Sequence, residues 1–373
     1  MRSGHALRIG IDAHYVGVRH GGNEFYFENL LNHLAHVARD GDEYFVFSCE
    51  NAARARLADE RLRVLPLTRR SVYWQRAVEI PWYSQRLDLD VLHVPFNFLP
   101  VFRCKKIVSI HDLAFVHVPD AYAPLERTRM RVLTRSSARR ADHVVTLSEF
   151  SKSSIVDYYG LPEGRVTVIP GAVDRATFRV VEDAAVERHR ARLGLACDYV
   201  LFVGAIQPRK NLLVLLEALR ILRAEGRHEA HVVLVGRRGW GADDVFRFVA
   251  EQGLRGCVHH FEPLATETLV ALYNGARAFV YPSLFEGFGM PVLEAMSCGC
   301  PVICSNATSL PEVCGDAALL FDPLRPEELA ERLAALLGDS ALREAMVMRG
   351  QQNCARFSWE RSATLVEAVY HAV

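Results

Sequence analysis

Hydrophobic positions fall in short unbroken blocks, separated by longer stretches where apolar residues return every three or four places. The first block is Leu7-Arg8-Ile9-Gly10-Ile11-Asp12-Ala13, and after a glycine pair Phe27, Leu30, Leu31 and Leu34 follow at helical spacing. Such short apolar blocks read as strands buried on both faces, and the 3.6-residue period reads as an amphipathic helix. Further strands are expected at 44–48, 91–94, 106–110, 143–147 and 166–169. After the charged stretch 182–192 the series starts again. It has a strand at Tyr199-Val200-Leu201-Phe202-Val203-Gly204, a helix over 211–223, and strands at 231–235, 258–261, 278–281, 301–304 and 318–321. Strand alternating with helix predicts an α/β fold with parallel sheets. Its repetition predicts two Rossmann-like domains, 1–176 and 177–356, hinged at Pro170-Gly171-Ala172-Val173-Asp174. The helical tail, about 357–373, is free to pack on either half, including back onto the first. Ligands of such sheets lie at the carboxyl ends of the strands, so two facing domains would bring both sets of ends to one cleft.

Charge narrows the picture. The 373 residues carry 44 basic and 44 acidic side chains, so no basic excess points to nucleic acid. The first seven residues lack an apolar leader core, and no run approaches ~20 apolar residues, so a cytoplasmic protein is expected. Nine cysteines at irregular spacing, without a C-x-x-C pair, read as reduced thiols, Cys298 and Cys300 in the core among them. Asp88-Leu89-Asp90 precedes the strand at 91–94, which puts its carboxylates at the wrong end for a ligand. No His, Cys or carboxylate group shows metal spacing, and no G-x-S-x-G elbow appears. No metal and no resident cofactor are expected.

Candidate chemistry gathers at strand ends. In Phe285-Glu286-Gly287-Phe288-Gly289-Met290-Pro291-Val292-Leu293-Glu294 a glycine loop runs into a helix opened by Pro291. Such a joint aims free N–H groups and the positive helix end at one point, which suits an anion. Glu286 and Glu294 bracket that point and would need hydroxyl donors, such as those of a sugar. Gln207-Pro208-Arg209-Lys210-Asn211 places two cations beside a helix start, with Asn211 as the expected N-cap. Cations are disfavoured there, which implies a phosphate or diphosphate to neutralise them. His111-Asp112 follows the strand at 106–110, where His111 can bond a sugar or move a proton and Asp112 can orient its loop. Arg127, Arg131, Arg135 and Arg139 recur every four residues, a stripe suited to anionic lipid or a phosphorylated acceptor and equally to a solvated face. Tyr73, Trp74, Trp82 and Tyr83 suggest an apolar acceptor wall or a piece of core.

These residues together resemble the retaining glycosyltransferases of family GT4, which have the GT-B fold. Glu286 to Glu294 fits the family's E-x7-E motif, and Ala295-Met296-Ser297-Cys298-Gly299-Cys300-Pro301-Val302 and Leu310-Pro311-Glu312-Val313 look like its continuation. Gly204 with Arg209-Lys210-Asn211, and in the first half His111-Asp112, Ser148-Glu149-Phe150-Ser151 and Ile169-Pro170-Gly171, are similar to further family elements. The resemblance implies that Arg209 and Lys210 bind the diphosphate of a nucleotide-sugar donor and that Glu294 accepts from its ribose. Glu286, with the backbone at Phe288, Gly289 and Met290, would hold the sugar; Gly22, Gly204 and Val292 would complete the donor site, and His111 would contact the sugar near the reacting carbon. It further implies metal-independent transfer with retention, to a glycan or lipid-linked acceptor, and its first half is most like bacterial mannosyltransferases, which makes GDP-mannose the expected donor. Two positions depart from the family pattern: Gly21-Gly22-Asn23-Glu24 in the first loop, and Pro170-Gly171-Ala172 where Pro-Asn-Gly is commoner. A GT-B sugar-nucleotide epimerase and a non-catalytic nucleotide-sugar-binding module stay open as alternatives. A glycosidase using the two glutamates would leave Arg209 and Lys210 without a task.

Overall fold

The computed structural model describes residues 6–17, 22–49, 53, 56–57, 59–68, 71–98 and 103–373, except the side chain of Tyr73. The chain divides into two compact units, the first comprising Met1–Val116, Pro124–Gly171 and Ser358–Val373, the second His117–Ala123 and Ala172–Phe357. The division falls after Gly171, inside the expected hinge and not at 176, and the short segment His117–Ala123 belongs with the second unit.

The first unit holds a parallel sheet of seven strands in the order β3-β2-β1-β4-β5-β6-β7. They are β1 (Arg8–Asp12), β2 (Glu43–Ser48), β3 (Leu62–Pro66), β4 (Val91–Pro95), β5 (Lys105–Ser109), β6 (His143–Thr146) and β7 (Val166–Val168). Ile9, Ile11, Leu92, Val94, Ile107 and Val108 are sealed between helices on both faces, as continuous apolar runs require. β3 was not anticipated. It is an edge strand whose apolar residues are interrupted by Arg63 and ended by Pro66, and proline is tolerated at an edge.

The C-terminal helix Trp359–Ala372 packs along Gly22–Val37 in this first unit. Trp359 meets the ring of Tyr26 at 5.5 Å, and Ser362 Oγ donates to Pro170 O at 2.6 Å. Deeper in, His93 lies between the Tyr370 hydroxyl and Ser109 Oγ, each at 2.8 Å. Burial, reinforced by neighbouring His111, pushes the His93 pKa down to about 3, so this bridge is made by a neutral ring.

The second unit holds six parallel strands in the order β10-β9-β8-β11-β12-β13. They are β8 (Tyr199–Val203), β9 (His231–Val235), β10 (Val258–Phe261), β11 (Ala278–Tyr281), β12 (Val302–Ser305) and β13 (Ala318–Phe321). The helix Leu212–Ala224 buries Leu212, Leu215, Leu216, Leu219 and Leu222 as one stripe. At the ends of β8 and β9 the backbones nearly touch: Gly236 has φ +152°, and a Cβ there would stand 2.0 Å from Gly204 O. Only glycine fits. Among the described residues no helix is long and apolar enough to cross a membrane.

Candidate active site

In the second sheet the strand order changes direction between neighbours β8 and β11, and in the first between β1 and β4. The carboxyl ends flanking such a switch point are where open α/β sheets bind ligands. The candidate residues lie there in both units.

In the second unit, β8 leads to a short 3-10 turn, Pro208–Lys210, and β11 leads to the loop that opens the helix Met290–Ser297. Glu286 joins the two. Its Oε2 lies 3.0 Å from Arg209 Nη1 and its Oε1 2.7 Å from Lys210 Nζ. Arg209 Nη1 also donates to Phe285 O at 2.6 Å, and Lys210 Nζ to the Tyr281 hydroxyl. Lys210 and Glu286 are 7% and 6% exposed, so the group is nearly dry. Burial alone would raise the Glu286 carboxyl, but the Arg209 and Lys210 cations outweigh it and hold the pKa at about 2. The two cations therefore already have a counter-charge within the chain, contrary to the expectation that only a ligand would neutralise them. Two cations share this one carboxylate.

The loop is held by residues that sequence reasoning passed over. Thr308 Oγ1 accepts from the Glu286 N–H at 3.0 Å, and Ser309 Oγ bonds the carbonyls of Glu286 and Phe288 at 2.9 and 3.2 Å. Thr308 has φ +57°, a left-handed conformation uncommon for a β-branched residue. Asn211 does not cap its helix. It too is left-handed, at φ +55°, and its amide donates to Pro282 O and Pro323 O at 3.2 and 2.7 Å, tying the turn to the ends of β11 and β13.

Gly289 caps the helix at φ +106°, where a Cβ would stand 2.7 Å from Leu310 Cδ2. Met290 opens the helix, so its N–H has no acceptor within it. Val292 differs from expectation: its side chain is fully buried and its N–H donates to Gly289 O at 3.0 Å, so it packs the helix start. Phe288 likewise turns its ring inward, edge-on to Phe357 at 5.4 Å, and offers only backbone. Glu294, partly buried, accepts from the Tyr273 hydroxyl at 2.9 Å. Burial raises its pKa to about 7 despite that hydrogen bond. Gly204 ends β8 at φ +150°, against Gly236.

In the first unit, His111 follows β5 and is buried, with Nδ1 3.0 Å from Asn23 Oδ1. With the Asn23 amide turned oxygen-inward, Nδ1 carries the proton and Nε2 keeps its lone pair. Nε2 is buried without a partner among the described residues. Burial lowers the His111 pKa to about 4, so the ring is a neutral acceptor near pH 7. Asp112 accepts from the Ala114 N–H at 2.9 Å and so fixes the turn after His111. Gly21 lies outside the described residues; at Gly22 a Cβ would meet nothing within 4 Å among the described residues.

A second buried carboxylate, Asp12, ends β1. It lies 2.8 Å from His14 Nδ1 and 3.3 Å from Arg76 Nε. Burial would raise its pKa, but His14 and Arg76 bring it to about 2. Arg76 sits in a π-helical turn, Gln75–Glu79, a form that is frequent at functional sites, and reaches Asn97 Oδ1 and Pro95 O at 2.9 and 3.2 Å.

The arginine stripe lies on the helix Pro124–Arg140, with Arg131, Arg135 and Arg139 exposed and Arg127 half-buried. Trp74 and Trp82 are exposed, Tyr83 stacks on Phe47 at 5.3 Å and meets Trp82 edge-on at 4.9 Å, and the Tyr73 side chain lies outside the described structure. Asp90 is spent at the far end of the sheet, accepting from the Arg8 N–H at 2.9 Å. All nine cysteines are free, and Cys298 and Cys300 are buried.

Known proteins resemble this chain in sequence and in fold. Residues 20–177 match the family described as Glycosyltransferase Family 4, and residues 187–353 match Glycosyl transferases group 1. The chain is 37% identical to O-antigen chain mannosyltransferase B of Escherichia coli over 279 residues, covering 74% of this chain and 72% of that protein. It is 32% identical to the serotype-specific mannosyltransferase WbdA of Escherichia coli over 291 residues, 77% of this chain but only 35% of that longer protein. Among solved structures, sucrose-phosphate synthase of Thermosynechococcus elongatus superposes with a TM-score of 0.78 at 20% identity, covering 98% of both chains. The last likeness shows the fold, GT-B, and no more.

Proposed function

The chain belongs to the family 4 glycosyltransferases, and from that premise we propose that it moves mannose from GDP-mannose, with retention and without a metal, onto a glycan or lipid-linked saccharide. The observation that carries this reading is the buried Glu286–Arg209–Lys210 group at the switch point of the second sheet, where two cations share one carboxylate. A diphosphate is a fitting anion there, and negative charge grows on its oxygens as the sugar–phosphate bond breaks, so the fixed cations favour the transition state over the ground state. Glu294, ready to ionise at about pH 7, takes the ribose hydroxyls. The neutral His111 Nε2 accepts from a hydroxyl of the sugar. Glu286 is committed to its two cations, so no side chain of the second unit's group is left as a nucleophile. That favours attack on the same face as the leaving group, with the departing phosphate oxygen taking the acceptor's proton.

Mannose is preferred because the relative 37% identical is a mannosyltransferase of O-antigen chains. The reaction is assigned to the cytoplasm, with peripheral membrane contact through the arginine stripe. The deciding experiment is a thermal-shift screen of GDP, UDP, ADP and dTDP with magnesium or EDTA, followed by transfer from the matching sugar nucleotide to a mannooligosaccharide. A shift by GDP in EDTA, and an α-linked product by NMR, are expected. A shift only by another nucleotide replaces the donor, a magnesium requirement overturns metal independence, and a β-linked product from GDP-mannose overturns retention.

A further inference from the structure

At the opposite, amino-terminal end of the second sheet, three side chains from separate strands converge. His231 begins β9 and His259 is the second residue of β10. Val233 pairs with His259 in the parallel ladder, and His231 is two residues before Val233, so the pleat puts both imidazoles on one face. Their rings lie nearly coplanar, edge to edge, with centroids 5.2 Å apart and an interplanar angle of 9°, and His231 Nδ1 lies 2.9 Å from His259 Nε2. Cys197 stands just before β8, whose Tyr199 pairs with His231, and donor atoms of all three residues fall within 4.8 Å of one another. The main chain at Cys197 is held by Arg190, which donates to its carbonyl at 3.0 Å.

We propose that Cys197, His231 and His259 form a binding site for a zinc-class divalent transition-metal ion, remote from the donor-binding residues. One thiolate and two imidazoles are the donors such an ion prefers, and three protein ligands leave a fourth tetrahedral position for water. The spacing is close to what the ion needs. Zinc–nitrogen bonds of ~2.05 Å at a tetrahedral angle hold two ring nitrogens about 3.3 Å apart, so the ion would replace the shared proton, part the nitrogens by a few tenths of an ångström and turn each ring by about 35° to aim its lone pair. All three residues are partly accessible, which gives the ion a way in. Bridging the entry of β8 to β9 and the edge strand β10 would clip one margin of the sheet, so the ion acts on stability and takes no part in transfer. The other grouping of possible ligands, Asp42, Glu367 and His371, is already engaged: Asp42 accepts from the Leu7 N–H and His371, and Arg39 pairs with Glu367.

The test uses the full chain, stripped with chelator under a non-thiol reductant and titrated with cobalt(II), then with zinc in competition with a chromophoric chelator. One equivalent of cobalt is expected, with a thiolate-to-cobalt charge-transfer band. Zinc should displace the cobalt and raise the melting temperature. Cys197→Ser should abolish the band, His231→Ala and His259→Ala should each weaken zinc binding at least tenfold, and His371→Ala should change neither. Absence of the band, or its survival in Cys197→Ser, overturns the site; so does zinc affinity that falls only in His371→Ala. Circular dichroism of each variant separates lost ligation from lost fold.

Discussion

The two sheets solve one construction problem in opposite electrical senses. Each carries a buried carboxylate at its switch point, and neighbouring groups outweigh burial to hold that carboxyl near pKa 2: Arg209 and Lys210 for Glu286, His14 and then Arg76 for Asp12. In the second unit one carboxylate, Glu286, faces two cations, Arg209 and Lys210. In the first, Asp12 faces one guanidinium, and the remaining Arg76 donors go to Asn97 and to Pro95 O. Beside it His111 is neutral, with a lone pair to offer. The second arrangement suits an anion; the first suits hydroxyl groups. Closely similar sheets thus acquire different ligand chemistry from the count of charges at one end.

The largest expected effect tests that difference directly. Glu286→Ala strands Arg209 and Lys210, and Asp12→Asn strands Arg76; breaking a buried pair this way costs about 3–5 kcal/mol. Both variants should melt well below the parent protein. Added GDP should then recover more stability in Glu286→Ala than it gives the parent, because the diphosphate takes over as counter-charge, and should give Asp12→Asn no extra recovery. Equal recovery in both would erase the distinction between the units. The pH dependence has a definite sign. Both folded carboxyl pKa values are depressed, so the stability they contribute is present above their unfolded values near 4 and is lost as pH falls toward 2. Acid melting curves of the two variants should therefore be flatter than the parent's over that window.

Next in size is Lys210→Ala. Removing a fixed donor from a site of developing charge costs about 10²–10³ in turnover. Because Lys210 is buried against Glu286 and Tyr281, this variant should also lose stability. Lys210→Arg keeps the charge but not the fit in a dry pocket, and should recover stability more than turnover. A Lys210→Ala variant with parental kcat would remove the leaving-group role.

Which of these features the sequence disclosed follows from how far apart the partners lie. Strands of the second sheet stand within a residue of the apolar blocks that announced them, because a strand buried on both faces must be apolar throughout. Glu286, Gly289 and Glu294 were legible because they sit on one continuous loop and helix. The contacts that set their chemistry were not: Arg209 and Lys210 meet Glu286 across about 76 residues, and Tyr273 reaches Glu294 across 21. Asp12 pairs with Arg76 across 64 residues and through a π-helical turn, which has no sequence signature. Cys197, His231 and His259 defeat a search by spacing for the same reason, since adjacent strands, not adjacent positions, bring them together. Asn23 lies in the first loop, whose departure from the family pattern was visible, and its side chain meets His111 Nδ1 at 3.0 Å.

A smaller effect separates the two glutamates of the second unit. Glu294 is raised to about 7 by burial, so near neutral pH it is half protonated and accepts poorly. Ribose hydroxyls favour its ionised form, so GDP should bind tighter at pH 8 than at pH 6, by about fivefold for one pKa unit of displacement. Calorimetry in two buffers of different ionisation enthalpy should show proton release on binding. Glu294→Gln should bind weakly at both values and release none. Proton uptake, or an unchanged pH profile in that variant, would take the ribose away from Glu294.

The smallest effect concerns where the first unit places its positive charge, since its switch point has none to spare. Arg131, Arg135 and Arg139 are exposed along one helix, and Arg131 Nη2 donates to the Tyr158 hydroxyl at 3.3 Å. A basic residue near an anionic bilayer is worth about 1 kcal/mol, and that attraction falls off within a Debye length. Replacing the three with Gln should leave the melting temperature and transfer to a soluble acceptor nearly unchanged, because solvated side chains contribute little to folding. It should abolish co-sedimentation with vesicles containing anionic lipid at low salt, and the parent protein should lose the same association as salt rises. Co-sedimentation that survives the substitutions would move the contact to exposed Trp74 and Trp82, whose apolar surface is indifferent to salt. If the parent does not co-sediment at any salt, the stripe is a solvated face, and the first unit meets its acceptor through neutral hydrogen bonds alone.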